Sequence, residues 1–227
     1  MERIARSIPK SAAEIAVRSE DGTLPGLITV PRAPVGTVVF AHDSGSNRLN
    51  PRDQALAKAL NDYGVATLLI DLITGKEHEL EYLTRGVHFD VELQGERLVD
   101  AIDWIGAQGD MGSLPIGILG ASTGGAVALR AAAERPDRIA AVVCRGGRPE
   151  LAGEALGRVA APTLFIVGSE DRAVLHLNQE SAEHLHCKHR VQVVEGATHL
   201  FEEPGKLDEV SRLAREWFLQ HLGVSIH

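Results

Sequence analysis

Short runs of β-branched and other apolar residues alternate along this chain with stretches of helical periodicity. The runs are Thr37–Ala41, Val65–Ile70, Ile116–Leu119, Ile139–Cys144, Thr163–Val167 and Val191–Val194. Continuous apolar runs suit strands that are covered on both faces, because a strand with one solvated face alternates apolar and polar residues. Strands that alternate regularly with helices predict a mostly parallel sheet with helices on both faces. The sequence therefore predicts an α/β fold.

The remaining elements follow from spacing and turn residues. Apolar residues three and four apart predict helices over Arg52–Asn61, Val91–Ile105, Ala126–Ala133 and Leu207–Leu222. Ahead of the first buried run, Ala13–Arg18 and Leu24–Val30 flank a turn and predict an antiparallel hairpin at one edge of the sheet. Leu72–His88 and Arg145–Ala160 show no regular pattern. Because they follow strands of an open sheet, we expect them to form a short rim over a ligand site.

Length and charge exclude several classes of protein. The chain has 227 residues, a length at which residues 1–227 are expected to form one domain without a large cap. Its formal net charge is −8. Nucleic-acid binding needs clustered positive charge and is not expected. No segment has the roughly 20 consecutive apolar residues that a membrane span requires. The expected partner is a small molecule, and the sequence says nothing of the oligomeric state.

Cysteine content and the first residues bear on the compartment. Cys144 and Cys187 are the only cysteines, which excludes a disulfide framework. Charged residues interrupt the first thirteen positions, so no apolar core of a secretory signal is visible. We therefore expect a cytoplasmic protein whose thiols are reduced, with Cys144 buried as a small apolar residue.

The most specific motif is Gly120-Ala121-Ser122-Thr123-Gly124, between an apolar run and a helix of small residues. It fits the Gly-x-Ser-x-Gly pattern of a nucleophile elbow, including the strand before it and the helix after it. The tight turn needs glycine at the flanking positions because side chains there would meet neighbouring backbone. Ser122 is therefore the candidate nucleophile.

Partners for such a serine occur in the required order. A serine hydroxyl is a weak nucleophile until a base takes its proton, and the base must itself be oriented by an acid. Glu170 and Asp171 follow the run Thr163–Val167, and His199 follows Val191–Val194. We expect these side chains at the carboxyl ends of two strands, at the same edge of the sheet as Ser122. The imidazole of His199 would serve as base, and one of the two carboxylates would orient it.

Several phrases of the sequence resemble the dienelactone-hydrolase-like branch of the α/β-hydrolase superfamily. They are Phe40-Ala41-His42, Gly120–Gly125, Arg135–Arg138, Gly168–Asp171 and Gly196–Phe201, spread along nearly the whole chain. The resemblance implies the α/β-hydrolase fold, with an eight-stranded, mostly parallel sheet, and an ester-hydrolysing triad. It assigns the acid to Asp171, three residues after Gly168, rather than to Glu170. Dienelactone hydrolases proper use cysteine at the position of Ser122, which favours a general carboxylesterase here.

The oxyanion formed by attack of Ser122 needs two backbone N–H donors. We expect one from Thr123, directly after the nucleophile, and the other from Ser44 in the loop after Thr37–Ala41. Relatives usually carry glycine where this chain has Asp43. A carboxylate beside an oxyanion hole opposes the developing charge unless it has a partner, for which Arg48 and Arg52 are candidates.

Other polar residues near the predicted site have less specific roles. Arg48 and Arg52 are candidates for binding a substrate carboxylate, because a guanidinium forms bidentate contacts with it, although a surface or capping ion pair is the alternative. His88 lies in the predicted rim and is a further candidate substrate contact. His42 directly follows a strand, where we expect a structural role rather than a role as base.

The leading hypothesis is a serine hydrolase that cleaves small carboxylic esters or lactones and needs no metal or organic cofactor. Two alternatives remain at this point. An acyltransferase would use the same triad with an alcohol in place of water. A non-catalytic small-molecule binding module would use the same fold without turnover, and Asp43 is the feature that favours it.

Overall fold

An eight-stranded sheet forms the centre of the structure, a computed structural model that describes residues 9–43, 45–77, 79 and 90–223. The strands are β1 Pro9–Ser19, β2 Gly22–Pro31, β3 Gly36–Ala41, β4 Val65–Ile70, β5 Ile116–Ala121, β6 Ile139–Arg145, β7 Thr163–Gly168 and β8 His189–Val194. The helices are α1 Pro51–Asn61, α2 Val91–Gly106, α3 Gly124–Glu134, α4 Arg172–Glu183 and α5 Lys206–His221. Two 3₁₀ segments cover Gly109–Ser113 and Pro149–Arg158.

The strands lie in the order β1-β2-β4-β3-β5-β6-β7-β8. The hairpin β1–β2 is antiparallel and joins the sheet through an antiparallel pairing of β2 with β4, while the pairings from β4 to β8 are parallel. The predicted α/β-hydrolase fold, including the antiparallel edge hairpin, is confirmed. The carboxyl ends of β3 and of β5 to β8 therefore meet at one edge of the sheet.

Separate apolar cores cover the two faces of the sheet. The core on one face includes Leu98 and Ile102 of α2 with Val127 of α3. The core on the other face includes Leu60 of α1 with Phe218 of α5. Because every residue of β3, β4 and β5 is buried between these layers, their sequences are continuous apolar runs. No helix within the described residues combines the length and apolarity that crossing a bilayer needs.

Two segments differ from expectation. Helix α4 was not delimited by its sequence, since Asn178 and Ser181 are two of its three buried residues and give no apolar period. Part of Arg145–Ala160 is regular, because Pro149–Arg158 forms 3₁₀ turns that break at Gly153, where φ is 57°. The predicted rim Leu72–His88 is described only in part, because residues 78 and 80–89 lie outside the described residues.

The segment after β4 is held by a buried arginine. Arg97 of α2 is 2% exposed and donates to both carboxylate oxygens of Glu77, at 2.7 and 2.8 Å. The same guanidinium donates to the carbonyl oxygen of Leu72 at 2.9 Å. The hydrogen bonds from Arg97 to the carboxylate, together with those from Thr74, lower the pKa of Glu77 to about 2. The ionised carboxylate therefore stabilises this segment against α2.

A second buried ionic cluster joins the first turn of α1 to the ends of two strands. Asp53, 1% exposed, lies 2.6 Å from Nδ1 of His42 after β3 and accepts a hydrogen bond from Nη2 of Arg145 at 2.9 Å. Burial raises the pKa of Asp53, but the hydrogen bond with His42 and the charge of Arg145 outweigh it and hold the pKa below its usual value. The cluster therefore contains an ionised carboxylate that a buried guanidinium neutralises.

The Glu77–Arg97 contact predicts a specific pH dependence of stability. Since the folded state lowers the pKa of Glu77, its contribution is fully present above the unfolded pKa near 4.5 and is lost as the pH falls towards 2. We expect Glu77→Gln to lower the free energy of unfolding by about 1 kcal/mol near pH 6, with allowance for solvent screening of the partly exposed carboxylate. The difference from the parent chain should vanish near pH 2. Chemical denaturation across this range measures it, with the exposed Glu79→Gln as control.

Removal of the Asp53 charge is predicted to be far more costly, because it leaves the Arg145 guanidinium buried without its counter-charge. We expect Asp53→Asn to lower the free energy of unfolding by about 3 kcal/mol in urea denaturation. Asp62→Asn removes the same charge from a more exposed position just beyond α1 and should cost less than about 0.5 kcal/mol. Equal losses in the two variants would contradict the role assigned to Asp53.

Candidate active site

Ser122 occupies a strained turn between β5 and α3. Its φ is 50°, in the left-handed region that residues other than glycine rarely adopt. The N–H of Ser122 donates to the carbonyl oxygen of Arg145 at 3.0 Å, and its own carbonyl accepts from the N–H groups of Gly125 at 3.0 Å and Arg148 at 2.9 Å. Such strain costs about 1–3 kcal/mol and persists only where surrounding contacts fix the backbone. These three hydrogen bonds fix it here.

Close backbone contacts explain the glycines on either side of Ser122. A Cβ atom at Gly120 would lie 2.3 Å from the carbonyl oxygen of Gly124. A Cβ atom at Gly124 would lie 2.2 Å from the carbonyl oxygen of Ala41, at the end of β3. The amino end of α3 therefore packs directly against β5 and β3, as the elbow motif predicts.

Asp171 and His199 are hydrogen bonded to each other beyond the ends of β7 and β8. Nδ1 of His199 lies 2.6 Å from Oδ2 of Asp171. Since an ionised carboxylate only accepts, Nδ1 carries the proton and Nε2 keeps its lone pair for a further proton. The neighbouring Glu170 instead accepts a hydrogen bond from the hydroxyl of Ser169 at 3.2 Å. Of the two candidate acids, Asp171 is the one in contact with the imidazole.

The backbone after β6 lies between Ser122 and His199. A Cβ atom added at Gly146 would lie 3.5 Å from both Nδ1 and Cε1 of the His199 ring. The carbonyl oxygen of the preceding residue, Arg145, accepts a hydrogen bond from the N–H of Ser122. Ser122, Asp171 and His199 thus lie at the ends of strands in one part of the sheet, with the imidazole packed on the backbone that adjoins the nucleophile elbow.

The loop after β3 is described on either side of Ser44, which itself lies outside the described residues. Thr123, the other candidate oxyanion donor, is the N-cap residue of α3, and its hydroxyl donates to Oδ1 of Asp43 at 3.2 Å. Neither candidate partner of Asp43 lies at ion-pair distance from it. Arg48 instead pairs with Asp71, and Arg52 pairs with Glu202.

These pairings also bear on the predicted substrate contacts. Nη1 of Arg48 lies 2.5 Å from Oδ2 of Asp71, and Nη1 of Arg52 lies 2.7 Å from Oε1 of Glu202. Both guanidinium groups already have a carboxylate of the chain as partner, which matches the ion-pair alternative. His88 lies outside the described residues.

A small cavity opens beside the loop after β3. Its volume is about 130 Å³, and its lining includes His42, Asp43, Ser46, Arg48, Leu72 and Gln94. Most of these side chains are polar, so the cavity offers hydrogen-bonding groups next to the amino end of α3. Larger surface depressions of the described residues lie elsewhere, between α4 and the Pro149–Arg158 segment and along α2.

Some residues around the site gave no usable signal in the sequence. Asp53 and Arg145 form a buried pair although 92 positions separate them, and neither belongs to a recognisable motif.

His42 is buried and bonded to Asp53, so its expected structural role agrees with its position. Cys144 is also buried, and burial raises the pKa of its thiol. Within the described ranges, no three histidine, cysteine or acidic side chains come together as a metal site.

Comparison with known proteins identifies relatives of this chain. The profile of the dienelactone hydrolase family matches residues 24–221. A dienelactone hydrolase from Anabaena variabilis is 46% identical, with a TM-score of 0.91 over 94% of this chain and 99% of that one. Est1E from Butyrivibrio proteoclasticus is 17% identical, with a TM-score of 0.78 over 93% and 99% of the two chains, and shares the fold.

A curated protein of Mycobacterium tuberculosis, provisionally named a phosphoribosyl transferase, is 48% identical over 219 residues. The match covers 93% of this chain and 48% of that protein, and the same figures hold for its counterpart in a second strain. The chain thus spans about half the length of these relatives. The family match and the fold agree with the resemblance noted in the sequence: this chain belongs to the dienelactone hydrolase family, within the α/β-hydrolase superfamily.

Proposed function

We propose that this member of a hydrolase family is a serine hydrolase that cleaves small carboxylic esters or lactones. The observation that supports the proposal most directly is the 2.6 Å hydrogen bond between His199 and Asp171. It orients an imidazole beside the backbone of the elbow that carries Ser122. Acyl transfer requires a nucleophile, a base and an acid close together, and these three residues lie at one edge of the sheet. Their order along the chain is the order typical of α/β-hydrolases.

The proposed reaction proceeds through an acyl-enzyme. The Ser122 hydroxyl oxygen attacks the ester carbonyl while Nε2 of His199 takes the hydroxyl proton, and Asp171 stabilises the resulting imidazolium. The N–H of Thr123 and a donor from the loop after β3, for which Ser44 is the candidate, bind the tetrahedral oxyanion. His199 then gives its proton to the leaving alcohol as the C–O bond breaks. Water, deprotonated by His199, releases the carboxylic acid and restores Ser122.

The cavity beside the loop after β3 limits the proposed substrate. Its volume of about 130 Å³ is slightly below that of an engineered apolar cavity of about 150 Å³ that binds benzene. An acyl group of about six non-hydrogen atoms would fill it. This favours short acyl groups over the long chains of lipids.

Other activities make different predictions. An acyltransferase would pass the acyl group to an added alcohol in preference to water, and a binding module would release no product. The name phosphoribosyl transferase belongs to proteins about twice as long as this chain and is not the basis of this proposal.

A covalent probe tests the nucleophile. We expect a fluorophosphonate to label the peptide that contains Ser122 and to abolish release of nitrophenol from p-nitrophenyl acetate. Ser122→Ala should lose the label, and its kcat should fall at least about 10⁴-fold, because the elbow then carries no hydroxyl oxygen to form the acyl-enzyme. The control is Thr198→Val, which removes a hydroxyl group from the residue directly before His199. This variant should keep the label. Labelling of another residue, or unchanged turnover in Ser122→Ala, would refute the proposed nucleophile.

The acid is tested by a matched pair of neighbouring carboxylates. We expect Asp171→Asn to lower kcat by about 10³–10⁴-fold, because the imidazole loses the charge that fixes its tautomer. Glu170→Gln removes a charge one residue away that does not contact His199, and it should change kcat less than about threefold. The opposite result, an inactive Glu170→Gln beside an active Asp171→Asn, would transfer the role to Glu170.

A further inference from the structure

The carboxylate of Asp43 lies at the cavity that the proposed substrate would enter. Asp43 is half-buried, lines the 130 Å³ cavity and accepts a hydrogen bond from the hydroxyl of Thr123 at 3.2 Å. Thr123 directly follows the candidate nucleophile, so this carboxylate is close to the reacting centre. Among the residues that the structure describes, no side-chain nitrogen of a lysine, arginine or histidine forms an ion pair with it within 4.0 Å.

The other charges around the cavity are already paired. Asp71 receives both the backbone N–H of Arg48, at 2.6 Å, and its guanidinium, at 2.5 Å. The guanidinium of Arg145 is buried and bonded to Asp53, and it is not part of the cavity lining, although the charge of Asp43 also acts on it. Asp43 therefore contributes an excess negative charge to the part of the cavity that is described.

This charge distribution has a direct consequence for a substrate carboxylate. Within a partly buried cavity, two like charges repel more strongly than in water because screening is weaker. An acyl group that ends in a carboxylate would therefore be bound less well, whereas a neutral group with N–H or O–H donors would find an acceptor in Asp43. The two arginines predicted to contact a substrate carboxylate, Arg48 and Arg52, have carboxylate partners within the chain.

We propose that Asp43 is a specificity-determining residue, which makes the enzyme select esters with a short, uncharged, hydrogen-bond-donating acyl group and reject those whose acyl group carries a carboxylate. This inference rests on the proposed hydrolase function and adds the class of acyl group to it. Since the charge acts at the acyl pocket, it should alter the ratio of two substrates rather than only the rate with each.

Two esters that differ in a single group test the proposal. Ethyl succinamate ends its acyl group in a neutral amide, and monoethyl succinate ends the same group in a carboxylate. We expect kcat/KM, measured from released ethanol at pH 7, to favour the amide about tenfold in the parent enzyme. Asp43→Asn keeps the shape of the side chain and should bring this preference to within about twofold of unity. Any effect of Asp43 on the oxyanion applies to both esters and cancels in their ratio.

Control variants separate a local effect from the overall negative charge of the chain. Asp137→Asn removes one exposed charge ahead of β6, at the opposite end of the sheet, and should leave the tenfold preference unchanged. Asp43→Gly removes the entire side chain together with its charge, and it provides a second variant if Asp43→Asn folds poorly. Both Asp43 variants should shift the ratio in the same direction.

The possible failures are distinguishable. A parent enzyme that prefers monoethyl succinate, or an Asp43→Asn variant with an unchanged ratio, would overturn the inference. So would failure to cleave ethyl succinamate in an enzyme that does cleave p-nitrophenyl acetate and takes the fluorophosphonate label. Absence of both the label and nitrophenol release would instead refute the hydrolase function itself.

Discussion

The close approach between the amino end of α3 and the ends of β3 and β5 determines the geometry of the candidate site. Backbone atoms there come so near that a single Cβ at Gly120 or Gly124 would overlap a carbonyl oxygen. This contact places the elbow, where hydrogen bonds hold Ser122 at its positive φ, against the end of β3. It also brings the Thr123 hydroxyl to Asp43. The nucleophile, the candidate oxyanion donor Thr123 and the proposed selectivity for uncharged substrates therefore depend on the same packing.

Buried ion pairs hold the surrounding strand ends in place. Removal of charges from water is costly, and such pairs specify position more than they add stability. Asp53 connects the end of β3 with Arg145, whose carbonyl in turn receives the N–H of Ser122. Because these charges are matched within the protein, they are not available to a substrate. The negative charge that remains at the cavity beside the loop after β3 is therefore that of Asp43.

Much of the fold was predictable because the central strands are buried on both faces and carry uninterrupted apolar residues. The order of Ser122, Asp171 and His199 was equally visible, since each follows such a run. Helix α4 was harder to delimit because Asn178 bonds to backbone carbonyls inside the protein, and burial of polar residues leaves no apolar period. The partners of Asp43, Arg48 and Arg52 were not predictable. They depend on contacts such as Arg52–Glu202, between residues 150 positions apart.

The first turn of α1 contacts parts of the chain that are remote in sequence. Arg52 bonds to Glu202 in the loop of His199, and its neighbour Asp53 bonds to Arg145 at the end of β6. Contacts of such high sequence separation form late in folding, because a long loop must close before they give any stabilisation. Recovery of these two contacts after dilution from denaturant would thus report assembly of the parallel part of the sheet. A fragment that lacks α1 would lose both contacts, and with them the link between the end of β6 and the loop of His199.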